Sequence, residues 1–224
     1  LMISRTTNLI GLFGYTRGAA ITDVNLTNAD VKGHSLVGGI VGQMDSATVI
    51  SNSSVQGIIE ATGLYAGGMI GYMDSSYVST SHATDSVKSA GNYVGGLVGF
   101  STNSTTTKSY ASNSVTGGSS VGGLIGHSDT TSVVNKSYAS GSVHGTDQVG
   151  GLVGYQLGAS TIENSYSTGD LTGNNYLGGL VGRSVSSSSI TNSYSIAAIS
   201  GNGIKGGLVG SNESSTISSS YWDS

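Results

Sequence analysis

Apolar positions in this chain fall in short runs that return at a nearly constant interval. The string Gly-Gly-Leu-Val-Gly and its variants stand at 10–14, 38–42, 67–71, 95–99, 122–126, 150–154, 178–182 and 206–210, in steps of 27 to 29 residues. A second block, best seen as IENSYSTGDLTG at 162–173, keeps the same phase. Its first apolar column is Ile50, Val78, Val134, Ile162 and Ile190, with Thr106 the polar exception, and its second is Ile59, Val87, Val115, Val143, Leu171 and Ile199. Both columns step by 28. The runs are too short and too rich in glycine for helices, which lose roughly 1 kcal/mol per interior Gly, so they read as strands. One unit cannot bury its own apolar face, but equivalent strands stacked about 4.8 Å apart lend each unit the hydrogen bonds of the next. The expected fold is an all-β β-solenoid of about eight coils, one array over 1–224, with units starting near 8, 36, 65, 93, 120, 148, 176 and 204. The one-residue variation in period is expected in the loop after GGLVG, where solvated backbone tolerates insertions.

Inside each coil the pattern places the Ile50 and Ile59 columns with the small residues Ala83, Ala111, Ala139, Ser167 and Ser195. The aligned pair Lys108 and Lys136 is expected to face water or lie at a corner. Leu97 and Val98 should point to opposite faces by the period of two, yet both columns are apolar throughout. Two alternatives stand: something covers one face, or Leu97 and its equivalents form an exposed apolar stripe.

Composition narrows the function. The 224 residues include 37 Gly, 42 Ser and 22 Thr but no Cys or Pro, which excludes disulfides, thiolate metal sites, thiol catalysis and collagen. Only 9% of residues are charged and the net charge is −4, with no basic stripe to neutralise a phosphate backbone. No apolar run approaches the roughly 20 residues of a membrane helix. Nucleic acid, a membrane span and cofactors are therefore not expected.

The units resemble the GLUG motif, a repeat of bacterial surface proteins and filamentous-haemagglutinin-like adhesins that also flanks the catalytic domains of IgA-specific metallopeptidases. YVGGLVGF at 93–100 followed by KSYASNSVTG at 108–117 is similar to one unit of it, GLFGYTRGAAITDVNLTNADVKG at 11–33 to a first unit, and SYWDS at 220–224 to a last one. The resemblance implies an extracellular or cell-surface location and a stalk, spacer or adhesive role, and it carries over no catalytic residues.

Candidate chemistry is sparse. The four histidines occupy different register positions without metal-ligand spacing, and His82 and His127 read as surface substitutions within aromatic columns. Asp45, Asp74 and Asp129 hold one loop position; Asp45 and Asp74, in adjacent coils, are weak candidates for a shared Ca²⁺ or an acid pair. Tyr110, Tyr138, Tyr166 and Tyr194, continued by Tyr221, form an aromatic ladder. It either packs on itself or offers a face to sugars or a partner protein. Five Asn-x-Ser/Thr sequons start at Asn25, Asn52, Asn103, Asn135 and Asn212. Neither end reads as a cap, so the array is expected to be part of a longer surface protein or to stack coil on coil between molecules. The reading that follows is a non-enzymatic structural and adhesive module, with a filament as its extended form. Its partners would be other copies, flanking domains, glycans or a host or neighbouring cell surface. Two alternatives remain: a glycan-active β-helix enzyme using Asp45 and Asp74, and an ice-binding solenoid, for which Thr falls irregularly apart from Thr105–Thr107.

Overall fold

The computed structural model describes residues 1–223. It is all-β, a parallel β-solenoid of about eight coils without a helix among the described residues. One central coil runs through Val94–Gly95, Val98–Thr102, Thr105–Thr107 and then the pair Tyr110–Ala111 and Ser114–Thr116, before the next begins at Ser119–Gly122. These segments make four walls. Each strand pairs in parallel with its counterparts one coil away, as in Val94↔Val121, Val98↔Ile125, Thr106↔Val134 and Val115↔Val143. Among the described residues the four sheets have 7, 8, 8 and 13 strands, the last because its strand divides in two from Tyr110 onward.

The inward columns are those the spacing marks. Ile50, Val78, Val134, Ile162 and Ile190 are fully buried, as are Val115, Ala83, Ala111, Ala139, Ser167 and Ser195. Ile199, in the last full coil, is half-buried. Lys108 and Lys136 are exposed and sit at the corner between the third and fourth walls, with φ of 49° and 50°.

Neither alternative for the GGLVG segment holds, because Leu97 and Val98 are both fully inside. The period of two fails because the chain bends at Gly96–Leu97, between two strands. Leu97 fills the corner and Val98 opens the next wall, so both point to the core. The amides of both donate to one carbonyl, Leu124 O, at 2.9 and 3.0 Å, and Met69 with Ile70, and Leu124 with Ile125, repeat the arrangement. Glycine is required there by close approach: a Cβ on Gly123 would overlap the Gly151 carbonyl oxygen and press on the Ala139 methyl. Each of the six inner coils, from Ile40–Val41 to Leu180–Val181, thereby buries two large apolar side chains at one corner, contributing about 1.5–3 kcal/mol apiece, whereas the pairs of the end coils, Leu12–Phe13 and Leu208–Val209, stay partly or largely exposed.

The variation in period lies in two loops, not one. Steps of 29 and 27 appear in the first two walls (Val41↔Ile70, Val98↔Ile125), whereas the neighbouring third-wall pairs Val49↔Tyr77 and Thr105↔Val133 keep 28. A residue gained or lost before the glycine corner is compensated after the second wall. In these inner coils the third and fourth walls therefore keep a step of 28, whereas at the ends the third wall steps by 29 (Ala20↔Val49) and 27 (Ser189↔Thr216).

Serines stitch the corner before the fourth wall. The Ser109 amide donates to Ser137 Oγ at 3.2 Å, while Ser109 Oγ donates to Thr107 O at 2.8 Å, and Ser81, Ser137 and Ser165 repeat both bonds. These hydroxyls satisfy backbone groups that a tight corner would otherwise leave buried and unpaired. Thr106 differs: its Oγ1 is buried without a hydrogen-bond partner, in a column where Val78 and Val134 stand. An unsatisfied buried hydroxyl costs about 1–3 kcal/mol, and Val has nearly the same shape. Thr106→Val is expected to raise the unfolding free energy by about 1–2 kcal/mol in urea titrations. A loss of stability instead would mean that the hydroxyl does useful bonding.

Candidate functional site

The tyrosine ladder lies on the outside of the fourth wall, opposite the inward Ala111 and Ala139. Its members pair in register, Tyr110↔Tyr138↔Tyr166↔Tyr194↔Tyr221, with His82 preceding Tyr110. Ring centroids are 4.6–5.3 Å apart and planes are tilted by only 2–7°. Each ring thus covers its neighbour's face, as coil-to-coil spacing imposes. Tyr110, Tyr138, Tyr166 and Tyr194 are half-buried, and Tyr221 is 60% exposed. Along the length of the ladder, ring edges and hydroxyls are the groups turned outward. Partial burial beside neighbouring phenols raises the Tyr138 and Tyr194 hydroxyl pKa values, so both stay protonated donors near neutral pH.

A second aromatic cluster sits where the first and second walls meet. Tyr65 stacks on Tyr93 (5.1 Å) and Tyr72 on Phe100 (5.2 Å), and the two stacks meet edge to face at 5.6–5.7 Å. His127 continues the Phe100 column at 4.6 Å and touches Tyr93 and Tyr155. It is no surface substitution: only 6% of it is exposed, and neither ring nitrogen has a hydrogen-bond partner. Burial pushes its pKa down to about 4, against a small opposing pull from Asp129. Further along, Arg183 lies over the rings of Tyr155 and Tyr176 and pairs with Glu213 at 2.8 Å.

The three aspartates share one row but not one site. Asp45 accepts from Arg17 Nε at 3.0 Å and Tyr15 Oη at 2.7 Å, which hold its carboxyl down to about 2. Asp74 accepts from Ser75 Oγ at 2.9 Å, and Asp129 accepts the Thr130 amide at 2.6 Å. Thr102 stands between Asp74 and Asp129 in the register. The Asp45 carboxylate is thus kept ionised by a cation, the opposite of the raised acid that proton donation needs. Among the described residues no three His, Asp or Glu side chains gather at metal-binding distance, and no helix is long and apolar enough to cross a membrane.

Comparison with known proteins agrees with the coil chemistry. The family model described as the GLUG motif matches residues 90–116, 145–172 and 173–200, so three stretches of the chain, each about one coil long, are GLUG motifs. The chain is similar to halomucin of Haloquadratum walsbyi (strain DSM 16790 / HBSQ001), with 41% identity over 83 residues. That alignment takes in 34% of this chain and 1% of the length of halomucin.

Proposed function

We propose that this array of GLUG-type coils is a non-enzymatic structural and adhesive module of an extracellular, cell-surface protein. In the extended form of this reading, copies add coil to coil into a filament. The observation that carries it is the repetition of outward chemistry along with inward packing. The same tyrosines, amides and hydroxyls recur one coil apart on a frame whose corners are fixed by glycine and serine, which multiplies weak contacts along one axis. The GLUG motifs and the similarity to halomucin support a place in a surface protein. The arrangement of Asp45, Asp74 and Asp129 favours no hydrolytic chemistry.

Attachment tests the adhesive part. Beads coated with the chain are expected to hold to cells or polysaccharide-coated surfaces, while release of sugar fragments from those surfaces would overturn the non-enzymatic reading. Absence of attachment to any surface would remove adhesion and leave a spacer. Electron microscopy at rising concentration tests the filament: an axial step near the roughly 38 Å of eight coil spacings is expected, and discrete particles throughout would discard that form.

A further inference from the structure

A shallow groove of about 380 Å³ runs along the corner between the third and fourth walls, between Asn25, His82 and Tyr110 on the ladder side and Asn52, Thr80 and Lys108 on the corner side. The same two columns continue coil by coil through Lys136 with Tyr138, Asn164 with Tyr166 and Asn192 with Tyr194. Its walls are amides, hydroxyls and aromatic edges, with no apolar pocket for a peptide side chain.

Two observations say what fits there. Because the rings cover each other's faces, sugars cannot stack on them along the ladder. What the ladder turns outward is phenol hydroxyls and the electropositive ring edges, which favour oxygen-rich and anionic ligands. Lys108 and Lys136 stand in adjacent coils, exposed, and among the described residues neither lies within ion-pair distance of a carboxylate. Two like charges so placed are relieved by a polyanion. Both lysines occupy a left-handed backbone position, φ 49° and 50°, shared in other coils by Asp23, Asn52, Thr80, Asn164, Asn192 and Ser219. Asn tolerates that conformation at least as well as Lys, so either lysine can be exchanged for Asn without backbone strain.

We propose that this groove binds an acidic polysaccharide, with carboxylates on Lys108 and Lys136 and sugar hydroxyls against the Tyr, Asn and Thr side chains beside them. The proposal rests on the adhesive reading and names its ligand class. The test is affinity electrophoresis of the whole chain in gels containing polygalacturonate, dextran or polyglutamate. Retardation by polygalacturonate alone is expected, weakening with salt as the roughly 10 Å Debye length at 0.1 M shortens. The double variant Lys108→Asn, Lys136→Asn takes the residue of neighbouring coils and should melt no lower than the parent, yet lose at least tenfold in affinity. No retardation of the parent, equal retardation of the variant, or equal retardation by polyglutamate would each overturn the proposal. Cell attachment that survives without polygalacturonate affinity would sink this assignment alone and leave the adhesive reading standing.

Discussion

A Val115→Asp chain is expected to lose its cooperative folded state, while Ser114→Asp, one residue away, melts within about 2 °C of the parent. Val115 is fully buried between Val87 and Val143, and Ser114 points to water. The substitution removes about 1.5–3 kcal/mol of apolar burial. It also places a carboxyl where it must either stay charged without a partner or take up a proton at further cost. The sum exceeds about 4 kcal/mol, a large share of the roughly 5–15 kcal/mol that holds a domain together. Because each coil touches only its neighbours, a failed central coil also divides the stack into two short pieces, each with a new unpaired edge. The same change at Ile199, which is only half-buried, should cost much less and fray one end. Circular dichroism melting of the three variants decides the matter. Equal curves for Val115→Asp and Ser114→Asp would refute the inward register.

Much of this register is legible in the amino-acid sequence, because a parallel in-register ladder sets each residue against its counterpart at a fixed spacing. Ile50, Val78 and Ile162 must face one way, given their spacing in multiples of 28. The tyrosine ladder is legible for the same reason, though its stacking is not, since spacing alone does not reveal ring orientation. The glycine corner escapes the pattern because alternation holds only within a strand, and Gly96–Leu97 lies between two. The second aromatic cluster is hidden for a related reason. It joins two columns from different walls, and its one trace is that Tyr65 and Tyr72, like Tyr93 and Phe100, stand seven residues apart across that corner. Asp45 could be aligned with Asp74, but its partner Arg17 lies one coil back, in a column whose other members are not basic.

Acid is expected to destabilise the protein in a window that belongs mainly to His127. Its folded pKa is about 4, against 6.5 for an unperturbed histidine, because Tyr93, Phe100 and Tyr155 enclose the ring and neither nitrogen finds a partner. Between those two values the unfolded chain binds a proton that the folded chain refuses. Stability therefore falls as pH drops from about 6.5 to about 4, and by this group it is unaffected above the window. The shift of about 2.5 units corresponds to roughly 3 kcal/mol. His82, whose pKa burial also lowers, adds to the loss in the same direction. Asp45 acts lower: its carboxyl is held at about 2 by Arg17 and Tyr15, so its contribution is present above its unfolded value and fades only as pH falls from near 3.8 toward 2. Replacing His127 by Phe continues the Phe100 column without a titratable ring. In urea titrations the parent should lose roughly 3 kcal/mol or more between pH 7 and pH 4, and His127→Phe should lose about 3 kcal/mol less. Identical losses would mean that His127 already meets solvent or a hydrogen-bond partner, and the closed aromatic packing around it would have to be abandoned.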